Sequence, residues 1–576
     1  MSGSFEGAVG RAVGARTTRG ASRLFATGAT LAVVALLGTA ELSAQEEPAG
    51  YPIDDATVVA ECSSCHARDE EGRLSRISWL RKTPEGWQTS LQRMAALHGV
   101  SVSPEAARRI VRYLANEQGL APEELRPGLF EVERRPWSMI DYEYADSAVE
   151  QTCLACHSMG RVITQRRTTE EWALLLATHR GLYPLVDFQA FRRGSGDGEH
   201  PMDVAIEDLG EVFPLETPEW SAWSATMRSP RLAGDWALTG HEPGKGTFYG
   251  RVSIAADPTD ADAFTTRASY VYAESGTQVE RTGQALVYTG YQWRGRSNPG
   301  QASELREVML VERDLQSISG RWFSGAYDEF GPDATLRRIG SGTTVSGVHP
   351  RALVRGSTTA VTVFGANLDA AGDDLDLGAG VTVQSVESGT SGSMTVRLAV
   401  ATDARVGLRD LYAGGAVLEG AVVVHDGVDR IEVTPLTGMA RAGGANFPKA
   451  FQTFEALGYD DGPDGEPETD DDLSLGRVEA TWRLEEYAAT YGDDDVQFVG
   501  RILEDGTFEP NLDGPNPERS GNRNNVGDVW VVATHTDATG RELSARGHLV
   551  VTVPLYMRFN PWPLPGQDRV PVGGQP

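Results

Sequence analysis

At 576 residues the chain is too long for one hydrophobic core, so roughly three to five domains are expected. Hydrophobic residues make up 40 % of it, enough to bury several cores, which excludes a disordered or fibrous chain. A net charge of −29, spread along the chain, argues against nucleic-acid and anionic-membrane partners and for soluble ones with basic or apolar patches.

Residues 1–44 read as an export signal. Arg16, Arg19 and Arg23 precede an apolar stretch from Leu24 to Leu37, and small residues close it at Ser43-Ala44. The apolar run falls short of the ~20 residues a spanning helix needs, so a removed leader is expected over a membrane anchor. No Arg-Arg pair precedes the run, which favours the general export route, and the mature protein is expected in the periplasm.

The chain has four cysteines, and all of them fall in two Cys-x-x-Cys-His units. These are Cys62-Ser63-Ser64-Cys65-His66 and Cys153-Leu154-Ala155-Cys156-His157. In such a unit two thiols can join the vinyl groups of one haem c, and the histidine directly after the second thiol falls beneath the iron. Two covalent haems are therefore expected, on Cys62 and Cys65 and on Cys153 and Cys156, with His66 and His157 as proximal ligands. A redox or zinc motif is the bland alternative for one unit, but two units with no cysteine elsewhere disfavour it.

An internal repeat suggests the distal ligands. Arg81-Lys82-Thr83-Pro84-Glu85-Gly86-Trp87 follows the first unit and Arg166-Arg167-Thr168-Thr169-Glu170-Glu171-Trp172 the second, as if one cytochrome unit occurred twice. In each copy a Thr before an acidic turn starts a helix that runs through the Trp. Seven residues beyond Trp87 stands Met94, and seven beyond Trp172 stands His179, on the same helical face as its Trp. This pairs His66 with Met94 and His157 with His179 as iron ligands. His98, four residues after Met94, stays open as the alternative; Met159, His200 and Met202 are weaker candidates.

Pro104-Glu105 opens a further helix, and the helical pattern fades near residue 215. Alternation then takes over: Ala285, Val287, Tyr291 and Trp293 share one parity, and Met309 and Val311 repeat it. Six to eight antiparallel strands closed as a barrel are expected between Trp236 and Ile339, because closure removes exposed edges. Val361, Val363, Val381, Val383, Val396 and Leu398 then mark one immunoglobulin-like sandwich, and Ile431, Val433, Trp482, Val529, Val531, Val550 and Val551 a second. The fold class is thus multidomain. An α-helical dihaem cytochrome c domain (45–215) precedes an antiparallel β-barrel (216–342), two immunoglobulin-like β-sandwiches (343–428 and 429–562) and a C-terminal tail (563–576).

One loop invites a metal reading. Asp460-Asp461-Gly462-Pro463-Asp464-Gly465, continuing to Asp470-Asp471-Asp472, gathers the oxygen ligands that Ca²⁺ favours. It lacks the terminal Glu of an EF-hand loop, so a solvated acidic turn is the alternative. Neither sandwich contains a constellation that demands catalysis.

With these motifs in place, the chain resembles the large α subunit of quinohaemoprotein amine dehydrogenase over essentially its whole mature length. The paired haem motifs, the Arg81 to Trp87 segment leading to Met94 and His98-Gly99, and Gly234-Asp235-Trp236-Ala237-Leu238-Thr239-Gly240 carry the resemblance. It implies a heterotrimer in which a small subunit oxidises the amine at a cysteine tryptophylquinone, a β-propeller subunit completes the assembly, and this chain's haems carry electrons away. A blue-copper protein or small cytochrome c is the implied acceptor. With every cysteine in a haem motif, this chain has none left for a cysteine-linked quinone of its own, so no catalytic residue is expected on it. A stand-alone dihaem peroxidase and an exported haem-bearing binding protein are the rival classes. The peroxidase needs an open distal position on one iron.

Overall fold

A computed structural model describes residues 49–129, 147–154, 157, 159–183, 186, 200–324, 331–371, 374–444, 449–488 and 492–553. The expected leader (1–44), Cys156 and the tail (563–576) lie outside them. No helix among the described residues is long and apolar enough to cross a membrane.

The N-terminal region is built from short capped helices. Asp55 opens α1 (Ala56–Cys62) by accepting the N–H groups of Thr57 and Val58. Strand β1 (Leu80–Lys82) leads into α2 (Pro84–His98), where Thr83 accepts the Gly86 N–H, Pro84 holds the first position and Gly99 ends the helix at φ 68°. Helix α3 (Pro104–Glu117) starts at Ser103 in the same way, and α4 is the single turn Pro122–Leu125. After α5 (Ser147–Leu154) and α6 (Gly160–Ile163), strand β2 (Gln165–Arg167) leads into α7 (Thr169–Leu182), with Thr168 capping Glu171. Helices α8 (Pro201–Val212) and α9 (Pro218–Ser224) complete the set, so helix continues past the boundary expected at 215.

The strand pair is the feature that a purely helical reading of this region lacked. β1 and β2 run antiparallel, with Arg81 opposite Arg166, and so join the two repeat copies about a local two-fold relation. Each copy packs its own core. Val58, Leu74, Trp87, Leu91 and Ile110 form one, and Val149, Ile163, Trp172, Leu176 and Leu209 the other.

The barrel expected next is present and closed, with eight antiparallel strands. They are β3 (Gly234–Glu242), β4 (Gly246–Ala256), β5 (Ala263–Tyr272), β6 (Gln278–Tyr288), β7 (Gln292–Ser297), β8 (Leu305–Val311), β9 (Ser317–Ser324) and β10 (Asp333–Arg338). The parity read from the sequence is the inward one: Ala285, Val287, Tyr291, Trp293, Met309 and Val311 are all buried. Burying a large side chain of this kind is worth about 1.5–3 kcal/mol. Inside the barrel, Trp293 Nε1 donates to Glu307 across 2.8 Å, and burial pushes the Glu307 carboxyl up to about 7.

The next module, from Thr344 to His425, has two four-stranded sheets, and the parallel pairing of Ala352–Val354 with Val423 to His425 lies in one of them. Val361, Val363, Val396 and Leu398 are buried between the sheets. The last module differs from a plain sandwich, because its described residues form three sheets of three, four and three strands. Its core comprises Ile431, Val433, Phe454, Phe508, Val529, Val531 and Val551.

Barrel and helices dock through specific contacts. Arg112 of α3 pairs with Asp260 and Asp262, Arg294 of β7 with Glu85 at the start of α2, and Tyr291 Oη donates to the Leu120 carbonyl across 2.9 Å.

Candidate haem centres

The first motif begins on the last turn of α1. Cys62 ends that helix, the N–H groups of Cys65 and His66 both donate to the Cys62 carbonyl, and the turn carries the second thiol and the imidazole back together. His66 Nδ1–H donates to the Ser75 carbonyl across 2.7 Å. That bond selects the tautomer whose Nε2 lone pair is available to a metal.

Met94 sits on α2 on the same face as the buried Trp87 and Leu91, and is itself half-buried. Cys62 and Ala95 both pack against the core that holds Trp87, which brings the first haem motif and this helix to one side of the copy. His98 is exposed at the helix end.

The second motif repeats this local structure. Cys153 lies on α5, and the His157 N–H donates to its carbonyl across 3.5 Å, as His66 does to Cys62. On α7, His179 Nδ1–H donates to the Leu175 carbonyl across 2.9 Å, again directing Nε2 outward from the helix. The rings of His157 and His179 stand 6.4 Å apart between centres, tilted by 49°. Burial is the main cause that holds His179 below the usual imidazole range; the Leu175 hydrogen bond opposes it, and the charges of Arg93 and Arg167 add to it. The structure thus brings together His157 and His179.

Each repeat tryptophan is anchored in the same manner. Trp87 Nε1 donates to the Gln118 carbonyl and Trp172 Nε1 to the Phe213 carbonyl, both across 3.2 Å. Lys82 lies over Trp87 and Arg167 over Trp172, at 5.4 and 5.5 Å from the ring centres. Met159 is a core residue of the second copy, and His200 caps α8 by accepting the Met202 N–H, so both have structural duties.

Sequence reasoning missed Glu124. Its carboxylate receives two parallel bonds from Arg81, at 2.8 and 2.9 Å, and lies 3.0 Å from Arg166 Nε. Burial alone would raise this carboxyl, but Arg81 and Arg166 hold it down to about 2. The repeated arginines were visible in the sequence; their common partner, distant from Arg166 along the chain, was not.

The acidic loop is occupied by a cation of the chain itself. Arg430 lies 3.0 Å from Asp461, pairs with Asp472 and stacks over Tyr459. Among the described residues, the carboxylates that cluster closely enough to hold one ion are instead Asp493, Asp494 and Asp495, two of which pair with Arg519.

The donor set of thiols and back-bonded imidazoles fits haem, and it is joined to a closed barrel and further sheets. These features define a haem-binding protein with β-rich appended domains. Family comparison agrees along the chain. Residues 53–220 match the family model described as quinohemoprotein amine dehydrogenase A, alpha subunit, haem binding. Residues 229–339, 342–426 and 431–564 match domains II, III and IV of the same alpha subunit. The chain belongs to the quinohaemoprotein amine dehydrogenase alpha-subunit family.

No curated protein matches it. Among solved structures, a de novo designed fluorescence-activating β-barrel is 19 % identical over 19 % of this chain and 93 % of that one, with a TM-score of 0.16. The Bacteroides ovatus mixed-linkage glucan utilization locus protein SGBP-B is 10 % identical over 57 % of this chain and 68 % of that one, with a TM-score of 0.18. The human desmocollin-1 ectodomain is 13 % identical over 55 % and 74 %, with a TM-score of 0.14. Likeness at these scores carries no argument.

Proposed function

We propose that this chain is the dihaem electron-transfer and scaffold subunit of a periplasmic amine dehydrogenase. In this reading a small partner subunit holds the cysteine tryptophylquinone, a β-propeller subunit completes the trimer, and a blue-copper protein or cytochrome c accepts the electrons. Residues 1–44 are the removed leader. The division into one haem-binding region followed by three β-rich domains is supported by the four family-matched segments.

The carrying observation is the His157 and His179 pair. At 6.4 Å between ring centres the two imidazoles are near enough that both could hold one metal. His157 and His179 would hold the iron of a haem on Cys153 and Cys156, and His66 with Met94 that of a haem on Cys62 and Cys65. Bound haem supplies one-electron exchange at its iron. The chain's own residues do the rest: Ser75 and Leu175 carbonyls orient His66 and His179, and Trp87 and Trp172 wall the two cores. A second imidazole from His179 would compete with peroxide for that iron, which disfavours the peroxidase class. We read the 460–472 loop as an acidic turn in which Asp461 and Asp472 face Arg430 in place of Ca²⁺.

The purified chain, carrying both haems, is expected to show no reduction on adding a primary amine, and adding the quinone subunit is expected to restore it. Stopped-flow absorbance at the haem bands measures both. Amine-dependent reduction of the chain alone would overturn the subunit reading.

A further inference from the structure

Fourteen residues separate His66 from Arg81, but only eight separate His157 from Arg166. The first copy therefore carries a longer loop between its histidine and its strand, and Ser75, whose carbonyl accepts His66 Nδ1–H, lies in that loop. Within it the Ser75 N–H donates to the Ala67 carbonyl across 2.9 Å, and Ser78 Oγ accepts the Leu74 N–H across 2.8 Å. Arg76 follows Ser75 at φ 66°, a left-handed conformation that a non-glycine residue keeps only where its surroundings hold it.

Gln118 supplies that hold from behind. It ends α3, where its own N–H donates to the Leu114 carbonyl, and it is fully buried. Its Nε2 donates to the Ile77 and Leu80 carbonyls across 2.9 and 2.8 Å, so one amide brackets the turn that follows Ser75. Its backbone carbonyl accepts the Lys82 N–H across 3.0 Å and Trp87 Nε1–H across 3.2 Å, where the chain enters the helix that carries Met94. Oε1 meets no donor among the described residues, so the side chain buries an acceptor at a cost and returns two donated bonds.

The second copy isolates what the amide does. Phe213 ends α8 at φ −125° and ψ 57°, as Gln118 ends α3 at −130° and 47°, and its carbonyl accepts the Arg167 N–H and Trp172 Nε1–H. A phenyl ring donates nothing, and Arg166 bonds the Ile163 carbonyl of the shorter connection there. The backbone clamp is common to both copies; the side-chain clamp belongs to the copy with the longer loop.

We propose that Gln118 is a positioning residue for a haem on Cys62 and Cys65. Its amide fixes the turn that presents the Ser75 carbonyl to His66, and its carbonyl fixes the start of the helix that carries Met94. The inference rests on the reading of His66 as an iron ligand. A firm acceptor on Nδ1–H makes an imidazole the stronger donor to iron and favours the ferric state, so loosening the turn raises the potential.

The test uses the full chain matured with both haems, with haem content and the urea unfolding midpoint recorded for each variant. His66→Gly tests the axial reading by itself: it is expected to remove one low-spin electron paramagnetic resonance signal, which identifies the first haem. Two low-spin signals in that variant, without added imidazole, would overturn the axial reading whatever the other variants show. Gln118→Met keeps the length and the backbone carbonyl but removes both donors. It is expected to move the g values of the first haem and to leave those of the second in place. It should also raise the ferrous-to-ferric ratio of the first haem at fixed potential about threefold, or roughly 28 mV at about 59 mV per decade for one electron. Ser78→Ala takes the acceptor of Leu74 N–H from the same turn without touching α2, and is expected to shift the first haem in the same direction. That variant decides where Gln118→Met fails to mature. Unchanged g values and potential of the first haem at full haem content overturn the proposal. So does an equal shift of the second haem, because general loosening does not select one copy.

Discussion

His66 and His179 each give their Nδ1–H to a backbone carbonyl, of Ser75 and of Leu175. The Ser75 bond lies outside any helix, whereas the Leu175 bond is an i−4 contact along α7. Two different pieces of backbone thus leave Nε2 free in the two copies. Met94 occupies the place of His179 in the first copy, and a thioether favours ferrous iron relative to a second imidazole. On the proposed assignment, a haem on Cys62 and Cys65 is therefore expected to have the higher potential. Met94→His should lower it and remove the weak near-infrared band of sulfur-to-iron charge transfer, while His98→Ala should leave that band intact. Loss of low-spin character on changing His98, with Met94→His silent, would make His98 the ligand. The spacing from each Trp placed Met94 and His179 on the helical face of that Trp, because helical period alone decides which side chains share a face. The partners of Nδ1 were not legible, since a carbonyl carries no mark in the residue code.

At the scale of elements, β1 and β2 fasten the two cytochrome copies together by only three paired residues on each strand. Such a short pair gains its hold from Glu124, which joins Arg81 of β1 to Arg166 of β2 in a buried setting. Glu124→Gln leaves two buried guanidinium groups without their anion and is expected to cost about 3–5 kcal/mol of stability. Denaturant unfolding followed at the haem band measures this. The pH dependence has a definite sign. The folded carboxyl is held down to about 2, so its contribution is full above the ordinary carboxylate value and is lost as pH falls toward 2. The wild-type chain should therefore lose stability through that acid window more steeply than Glu124→Gln; parallel curves would count against the bridge. The strand pair escaped the helical reading because three-residue segments such as Leu80–Lys82 show no period of their own.

Across the whole molecule, the barrel is the hub to which the other parts attach. Its β7 and β5 ends receive the helices through Arg294 and Asp260, and Tyr249 stacks on Phe364 of the next module at 4.5 Å. His241 on β3 meets Glu455 of the last module at 2.7 Å, and Arg477 meets Glu274 at the same distance. Burial opposes a charged His241, but Glu455 prevails and raises it above the usual imidazole range; Glu455, buried as well, is lowered by His241. The His241 contribution is full below the ordinary imidazole value and is lost as pH rises through the raised one. The Glu455 contribution is full above the ordinary carboxylate value and is lost as pH falls. The junction is thus strongest between about pH 4.5 and about pH 6.5. Calorimetry is expected to show the last module's transition moving to lower temperature from about pH 6 to about pH 8. Glu455→Gln should remove that shift, and a shift that persists in the variant would assign it elsewhere.

The sequence by itself determined the two Cys-x-x-Cys-His motifs, the tandem copies, the helix starts at Thr83 and Thr168, and the inward parity of the barrel strands. Each of these depends on residues close together in the chain, where covalent spacing and period dictate geometry. Only the tertiary structure decided that Glu124 ties Arg81 to Arg166, that Arg430 faces Asp461 and Asp472 of the acidic loop, and that the described part of the last module has a third sheet. Those outcomes turn on which distant groups come to share a water-poor space, and charge and hydrogen-bond satisfaction there are settled by packing rather than by order along the chain.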